Sequence, residues 1–413
     1  MKKTLTSLFC LWLIGSQLQG INYTVNKTSN WLFLAPQTPT IELVLHNETT
    51  EVTAETVQLQ VATDQYTPLF LFTQQVQVPA NDSLLVTFQF PLEPGFYRCT
   101  THVTGAEDQK FNIGFEPQYL VSLCDAQPDF DAFWAKALQD LSAVDPQYKM
   151  TLLPEKSGKL RQVYLVEMKS LEGETICGYY AVPVKKGQYP AIINYMGYGS
   201  EPWCMEADGN PDFVEFILSV RGQGLYKATN TYGDWITYNL GNKDKYYYRG
   251  AFMDLVRAID FVASRPQVDK RYIFAEGGSQ GGAFSLAAAA LDTRLAGIAP
   301  TIPFLSDYPD YFKIVSWPAS AVLGKQKEIG LSDKDLYQML SYFDIKNLAP
   351  RIKCPVIMGF GLQDEVCPPH TNFAGFNRIN TRKQYEVFTL KGHDVTPEWW
   401  NIRMHFFQSI IHP

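Results

Sequence analysis

Beyond its first twenty residues, the sequence lacks any apolar run of the roughly 20 residues needed to span a bilayer, so no membrane span is predicted. It also lacks an excess of positive charge, because 35 Lys and Arg residues against 42 Asp and Glu residues give a net charge of −7. A negative chain gains nothing from a phosphate backbone, which excludes nucleic acid as an expected partner. Neutral polysaccharides and small molecules are compatible with this charge.

Cysteine and histidine are scarce, with seven and six residues respectively. They form neither a Cys-x-x-Cys pair nor a His-x-x-x-His pair beside an acid, so the sequence predicts no metal site and no cofactor. Cys10 lies in the leading apolar run. The six cysteines after it allow 15 disulfide connectivities, and the sequence does not choose among them. We expect buried thiols with one or two bridges at most.

The first twenty residues have the pattern of a signal peptide. Lys2 and Lys3 precede an apolar run from Leu8 to Ile14, and small or polar residues follow as far as Gly20. A membrane anchor would need a longer run than this one. We therefore expect cleavage after Gly20 and export to the periplasm or the extracellular space.

Residues 21–118 consist of short, apolar-alternating runs separated by turn-forming residues. The runs are Thr40 to Leu45, Val57 to Val61, Leu69 to Phe72 and Leu84 to Phe90. Strand-sized runs at this spacing predict a small all-β, sandwich-like domain. The region has no cluster of ionisable residues that would form a catalytic site, so a packing or spacer role is expected, with carbohydrate or partner binding as the alternative.

Residues 119–413 alternate between strand and helix patterns. The predicted strands are Ala191 to Met196, Phe213 to Val220, Tyr272 to Glu276, Pro355 to Phe360 and Tyr385 to Leu390. The predicted helices are Ala251 to Ser264, Gly282 to Leu291 and the segment after Glu398. Continuous apolar strands alternating with helices predict an α/β fold with a doubly wound, mostly parallel sheet.

The sharpest local motif runs from Gly277 to Gly282 and reads Gly-Gly-Ser-Gln-Gly-Gly. It follows a predicted strand and opens an Ala-rich predicted helix, which is the setting of a nucleophile elbow. Glycines two positions before and after Ser279 would allow the tight turn. We therefore predict Ser279 as the nucleophile.

A serine hydroxyl needs a base to take its proton, and that base is usually oriented by an acid. His393 is the best candidate among the six histidines, because it follows the last predicted strand on a loop. Asp364 is the first carboxylate after the preceding predicted strand, and Glu365 is its competitor. The order Ser279, Asp364, His393 is the chain order of α/β-hydrolases.

The developing oxyanion needs two backbone N–H donors. We expect one from Gln280, which follows the nucleophile. The other is expected from Tyr198, in the Gly-flanked loop Met196 to Gly199.

Several further motifs of residues 118–413 resemble those of the acetyl xylan esterase and cephalosporin C deacetylase family, carbohydrate esterase family seven. They are Phe130 to Trp134, Arg221 to Gly224, Tyr246 to Arg249, Asp254 to Ala258, the Ser279 elbow, Pro303 to Leu305 and Gly361 to Pro369. The resemblance implies an α/β-hydrolase that removes acetyl groups from xylan, xylo-oligosaccharides or other small acetylated compounds without a cofactor. It also implies a homo-oligomer, a ring-shaped hexamer in many members, and a role for Arg221 and Gln223 in organising the site.

The sequence departs from the family pattern in three places. Asp394 follows His393 where the family usually has Glu, and Met196 stands where His is common before Gly-Tyr. The N-terminal β-region is an addition that could block or replace the hexamer contacts. A small acyl pocket would need bulky residues, for which Trp203 and Phe304 are candidates. The alternatives are a general short-chain carboxylesterase and a prolyl-oligopeptidase-like peptidase.

Overall fold

The structure is a computed structural model that describes residues 20–412. The predicted signal peptide, residues 1–20, therefore lies outside the described residues except for Gly20. Among the described residues, no helix is both long and apolar enough to cross a membrane.

The N-terminal region forms two β-sheets. Its strands are β1 (Ile21–Asn26), β2 (Leu32–Phe33), β3 (Thr40–Asn47), β4 (Thr53–Thr63), β5 (Pro68–Val78), β6 (Asp82–Gln89), β7 (Gly95–Val103) and β8 (Gln109–Phe115). One sheet has the order β1-β3-β6 and the other β2-β8-β7-β4-β5, and only the β2–β8 pair is parallel. Alternation along β3 turns Ile41, Leu43 and Leu45 into the core, as a half-buried strand requires. We call residues 21–118 the β-domain.

The rest of the chain is built on one nine-stranded sheet. Its strands are β9 (Lys149–Leu152), β10 (Arg161–Lys169), β11 (Thr175–Pro183), β12 (Tyr189–Tyr195), β13 (Val214–Ser219), β14 (Val268–Gly278), β15 (Leu295–Thr301), β16 (Val356–Gly361) and β17 (Lys383–Phe388). The order is β17-β16-β15-β14-β12-β13-β11-β10-β9. Strands β12 to β17 pair in parallel, whereas β9, β10 and β11 form an antiparallel edge. The predicted α/β fold class is thereby confirmed.

Helices cover both faces of this sheet. They are α1 (Phe130–Ser142), α2 (Tyr247–Ala263), α3 (Gln280–Leu291), α4 (Tyr308–Ile314), α5 (Ala319–Glu328), α6 (Asp333–Leu340), α7 (Ile345–Leu348), α8 (Pro369–Phe376) and α9 (Glu398–Ile411). Consecutive residues of β12 point to opposite faces, so Ile192 belongs to the core under α9 and Ile193 to the core under α2 and α3. The ring of Phe274 stacks on Phe407 of α9 at 4.5 Å.

The β-domain docks against the loops that follow β16 and β17. The Asn112 backbone N–H donates to Oε1 of Gln363 at 2.6 Å, and the Asn112 side chain donates to the Leu362 carbonyl at 3.2 Å. An aromatic contact adds to these bonds, since the Phe96 ring lies 5.5 Å from Phe373 of α8. The β-domain therefore touches the segment that carries Asp364.

All six cysteines among the described residues are free thiols. They are Cys99, Cys124, Cys177, Cys204, Cys354 and Cys367. The sequence predicted two disulfide bridges at most, and the described residues form none. Cys99, Cys177, Cys354 and Cys367 are buried, so hydrophobic packing accounts for them.

Candidate active site

Ser279 lies at the turn between β14 and α3, with φ 58° and ψ −119°. This strained conformation is the one that a nucleophile elbow imposes on its serine. The turn is tight because Gly277 and Gly281 pass close to the neighbouring strand. A Cβ added to Gly277 would lie 2.4 Å from the Tyr195 carbonyl oxygen, and one added to Gly281 would lie 2.0 Å from it.

Asp364 and His393 come together on adjacent loops, after β16 and β17. Nδ1 of His393 lies 2.8 Å from Oδ2 of Asp364. The other carboxylate oxygen accepts the backbone N–H groups of Val366 and Cys367, both at 2.8 Å. Asp364 is only 1% exposed, whereas the His393 side chain is 28% exposed. The acid is therefore fixed inside the protein while the imidazole reaches solvent.

Glu365, the competing acid, points away from His393. Its side chain is exposed and lies 3.7 Å from the Arg98 guanidinium of the β-domain.

Cys367 lies beside the nucleophile, with its Sγ 4.0 Å from Ser279 Oγ. Burial raises the pKa of the Cys367 thiol well above its usual range, so the group is neutral and does not compete as a nucleophile. No hydrogen bond joins His393 to Ser279 Oγ among residues 20–412. In structures without substrate, catalytic hydrogen bonds are often long and tighten only in the complex.

The two expected oxyanion donors belong to the segments on either side of this turn. Gln280 is fully buried at the start of α3, and Tyr198 follows β12. Gly199, the next residue, donates its N–H to Oε1 of Gln223 at 2.9 Å. Met196, which stands at the family's His position, is buried with its sulfur 3.8 Å from the Ser219 hydroxyl.

Gln223 links the loop of Tyr198 to the residue after the nucleophile. Its amide donates to the hydroxyl of Tyr247 at 2.8 Å and exchanges hydrogen bonds with the Gln280 amide at 3.2 and 3.3 Å. Tyr248 donates to Gln280 Oε1 at 3.1 Å. This buried network holds the two proposed donor segments in one arrangement. Tyr247 and Tyr248 of the Tyr-Tyr-Tyr-Arg motif therefore support the site through these bonds.

Arg221 lies one layer further from Ser279. Its guanidinium forms two hydrogen bonds to Asp254 of α2, at 2.9 and 2.7 Å, and both side chains are buried. Burial acts to lower the pKa of Arg221, but the Asp254 carboxylate outweighs burial and raises it. The Arg221 carbonyl accepts the Tyr247 hydroxyl at 2.8 Å. Arg221 therefore anchors the Gln223 segment to α2 and has no contact with Ser279.

An aromatic wall stands beside the nucleophile. The Phe304 N–H donates to the Ser279 carbonyl at 3.1 Å, and the Phe304 ring stacks on Trp317 at 5.8 Å with an interplanar angle of 11°. The Tyr198 ring meets Trp317 at 5.3 Å and Trp235 at 5.2 Å. The rings of Tyr198, Phe304 and Trp317 therefore pack against one another next to the backbone of Ser279.

Trp203, the other candidate for the acyl pocket, lies elsewhere. Its side chain lines a separate cavity of about 510 Å³ together with Cys204, Glu276 and Trp400, and none of Ser279, Asp364 and His393 borders that cavity. The prediction for Trp203 was therefore wrong. The chain after Ser200 runs toward α9, so closeness in sequence to Tyr198 does not bring Trp203 to the site.

Within residues 20–412, one group of acids and imidazole is compact enough to hold a metal ion, namely Asp307, Asp310 and His370, with ligand atoms within 4.8 Å of one another. Nδ1 of His370 lies 2.7 Å from Asp64 of the β-domain. Burial acts to lower the pKa of His370, but these three carboxylates outweigh it and raise the pKa well above its usual value. The three carboxylates therefore favour the protonated, positively charged form of the His370 imidazole.

Comparison with known proteins places this geometry in a family. The profile described as acetyl xylan esterase (AXE1) matches residues 120–410. The acetyl esterase Axe7A of Xylanibacter ruminicola is 29% identical over 322 residues, which cover 74% of this chain and 72% of that protein.

Two solved structures are similar over the same region. The crystal structure of acetyl xylan esterase 1 from Thermoanaerobacterium sp. JW/SL YS485 is 29% identical, with a TM-score of 0.64, and the match covers 71% of this chain and 97% of that one. The acetyl xylan esterase from Paenibacillus sp. R4 is also 29% identical, with a TM-score of 0.66 and coverage of 71% and 98%. The resemblance noted in the motifs is confirmed: this chain belongs to the acetyl xylan esterase family and is a carboxylic ester hydrolase.

Proposed function

We propose that this protein removes O-acetyl groups from acetylated xylan, xylo-oligosaccharides or related small acetylated compounds, with Ser279, His393 and Asp364 as its catalytic triad. The observation that carries the proposal is the 2.8 Å pair of His393 and Asp364, whose loop brings Cys367 to 4.0 Å from Ser279 Oγ. The names of the three similar proteins support acetyl esters as the substrate class.

The reaction proceeds through an acetyl-enzyme. Ser279 Oγ attacks the acetyl carbonyl carbon while His393 takes the hydroxyl proton, and Asp364 stabilises the imidazolium that forms. The backbone N–H groups of Tyr198 and Gln280 donate to the oxyanion. The tetrahedral intermediate then collapses, and the departing sugar oxygen takes the proton from His393. Water, deprotonated by His393, attacks the acetyl-enzyme and releases acetate and free Ser279.

Selectivity for acetyl follows from the aromatic wall of Tyr198, Phe304 and Trp317. Each additional methylene in an acyl chain needs space that these packed rings would have to open. A rate series on nitrophenyl esters from acetate to octanoate tests this point, with Ser279→Ala as the blank. We expect kcat/KM to fall steeply beyond propionate, no rate in the blank, and acetate release from acetylated xylan. A maximum at longer chains would instead identify a general carboxylesterase.

Two aspartates provide a matched test of the triad assignment. Asp364 contacts the His393 imidazole, and Asp394 follows His393 in the sequence. Asp364→Asn should lower kcat on nitrophenyl acetate by about 10⁴-fold, since an amide cannot hold the correct imidazole tautomer. Asp394→Asn should stay within a few-fold of the parent, because the Asp394 side chain is exposed and pairs with Lys391 at 3.1 Å. Equal losses in the two variants would overturn the assignment of Asp364.

We further propose that residues 1–20 direct export, so that the enzyme meets its substrate outside the cytoplasm. The basic start, the short apolar run and the small residues before Ile21 support this proposal. N-terminal sequencing of the secreted protein should begin at Ile21. A mature chain that still begins at Met1 would contradict it.

A further inference from the structure

A trough runs along one face of the β-domain, where three neighbouring strands present polar side chains. In the register of β4, β7 and β8, one row across the strands is Gln60, Thr100 and Lys110, and the next is Ala62, Arg98 and Asn112. Side chains two residues apart on a strand share a face, so both rows form one floor. This floor bounds a cavity of about 600 Å³. We call this cavity the trough.

The two walls of the trough come from different parts of the protein. Tyr66 and Pro68, at the β4–β5 hairpin, form one wall, and Gln363, Glu365 and Leu390 form the other. Tyr66 is 59% exposed, although its hydroxyl donates to the Ile314 carbonyl at 3.3 Å. The Arg98 guanidinium lies 4.2 Å from the centre of its ring. Arg98 thus covers one face of the Tyr66 ring at the edge of the polar floor, while the side chain as a whole stays largely exposed.

The second wall is continuous with the candidate active site. Glu365 directly follows Asp364, and Leu390 stands three residues before His393. The Gln363 side chain is fixed on both sides, because it bonds the Asn112 backbone at 2.6 and 3.2 Å and the Thr389 carbonyl at 2.9 Å. A ligand in the trough would therefore contact Glu365 and Leu390 of the loops that carry Asp364 and His393, although none of Ser279, Asp364 and His393 borders the cavity itself.

The chemistry of the trough suits a sugar chain. Amide and hydroxyl groups of the floor can exchange hydrogen bonds with sugar hydroxyls, and an exposed aromatic ring offers a flat apolar surface to the face of a sugar ring. The charges largely cancel, because Arg98 lies 3.7 Å from Glu365, which leaves Lys110 as the unmatched charge. An apolar segment would leave the polar floor unpaired, which is costly. The cavity also falls within the ~300–1,000 Å³ range of ligand sites, which favour domain junctions.

We propose that the trough binds the unmodified part of the polysaccharide chain next to the acetylated sugar, so that the β-domain contributes a substrate subsite to the esterase. This inference rests on the proposed function, because the chain it names is the substrate of that function. It gives the β-domain a role in selecting polymeric over small acetyl esters.

The test compares a polymeric and a small substrate in the full chain. Gln60→Ala removes a floor side chain that makes no side-chain hydrogen bond within residues 20–412, and Tyr66→Ala removes the aromatic wall. Each should lower the ratio of kcat/KM on acetylated xylan to kcat/KM on nitrophenyl acetate by ~3- to 10-fold, as expected for one lost hydrogen bond or ring contact.

Two control variants make the comparison specific. Gln58→Ala lies on the same face of β4 two residues earlier, outside the trough, where its amide bonds Thr73 at 3.3 Å. It should leave the ratio unchanged. Tyr66→Phe keeps the ring but loses the hydrogen bond to Ile314. Its ratio of the two kcat/KM values should therefore stay closer to that of the parent than the ratio of Tyr66→Ala does. If Gln60→Ala and Tyr66→Ala both kept the parent ratio, the trough proposal would be wrong.

A binding experiment separates this proposal from the proposed function. Unacetylated xylo-oligosaccharides titrated into the Ser279→Ala protein should bind, and Gln60→Ala added to that background should weaken binding by a similar factor. Inactivity of the parent on acetylated xylan with intact oligosaccharide binding would overturn the proposed function alone. Activity on acetylated xylan without binding of unacetylated oligosaccharides would overturn the trough proposal alone.

Discussion

Gly281 and Gly278 stand on the two sides of Ser279 and differ in the space around them. A Cβ on Gly281 would lie 2.0 Å from the Tyr195 carbonyl oxygen, a backbone atom that cannot move without β12. A Cβ on Gly278 would meet nothing within 4 Å. Because β12 leads directly into the loop of Tyr198, Gly281→Ala would displace an oxyanion donor.

We expect Gly281→Ala to lower kcat/KM on nitrophenyl acetate by about 10²-fold or more, the loss typical of a missing oxyanion donor. Gly278→Ala should retain activity within a few-fold. Circular dichroism and thermal unfolding of both variants would show whether the Gly281 variant still folds. Similar activity in the two variants would show that the close approach to Tyr195 is not needed.

At the scale of elements, α2 supports the site through Tyr247, whereas Tyr246, the residue directly before α2, has a different partner. Tyr247 donates to the Arg221 carbonyl and accepts from Gln223, which in turn holds Gly199. Tyr246 donates instead to the Ile236 carbonyl at 2.8 Å, and it reaches the Tyr198 loop only indirectly, through the Ile236 N–H that donates to the Tyr198 hydroxyl at 3.2 Å. Both hydroxyls are buried, so the loss of either should cost about 1 kcal/mol of unfolding free energy.

The two phenylalanine variants should therefore separate stability from catalysis. Tyr247→Phe should lower both the Tm and kcat on nitrophenyl acetate, the latter by roughly 10-fold, since it loosens the loop of an oxyanion donor. Tyr246→Phe should lower the Tm by a similar amount but lower kcat less than Tyr247→Phe does, because Tyr246 bonds neither Gln223 nor Gln280. A purely structural role for Tyr247 would give the same kcat in both variants.

These contacts show which features the sequence could reveal. The Ser279 elbow, Asp364 and His393 each carry a local signal, because each follows a buried strand in a short loop. Gln223 and Arg221 were found only through the family resemblance, and nothing local indicated that Gln223 bonds Gln280, 57 residues away. Trp203 was placed wrongly because a loop position near Tyr198 says nothing about the direction of the chain. The edge strand β9 has four residues and the helices α4 to α8 have between four and ten, and elements this short give too few repeats of the apolar pattern to be predicted.

At the scale of the whole molecule, His370 joins the β-domain to the hydrolase. It contacts Asp64 of the β4–β5 hairpin at 2.7 Å, and it lies 3.6 and 3.7 Å from Asp310 and Asp307. Lys313 and Lys346 bond these last two acids. The pKa of His370 is raised well above 6.5, so the folded state holds a proton that the unfolded chain releases as the pH rises.

The contribution of His370 to stability should therefore be complete below about pH 6.5 and should decline as the pH rises through its raised folded-state pKa. His370→Asn should lower the free energy of unfolding by about 3 kcal/mol at pH 6, as for a broken buried ion pair. The difference from the parent should shrink at pH 9. Urea unfolding of the parent and the variant at pH 6 and pH 9 measures this difference in the free energy of unfolding.

His102→Asn is the matched control, because His102 pairs with Asp108 at 2.7 Å on the exposed side of the same domain. Exposed pairs contribute little, so we expect His102→Asn to lower the free energy of unfolding by at most about 0.5 kcal/mol at pH 6. An equal loss in both variants, or a His370 difference that grows with pH, would contradict the role of His370.

The docking of the β-domain also sets the order in which the active site can form. Thr389 donates to the Asn30 carbonyl across 359 residues, and Gln363 bonds Asn112 across 251. During synthesis, N-terminal domains generally fold first, so the β-domain can form its sheets long before its partner loops exist. Closing such distant contacts is slow because a long loop must be ordered before they form. Esterase activity should therefore be the last property to return on refolding, after both sheets have formed.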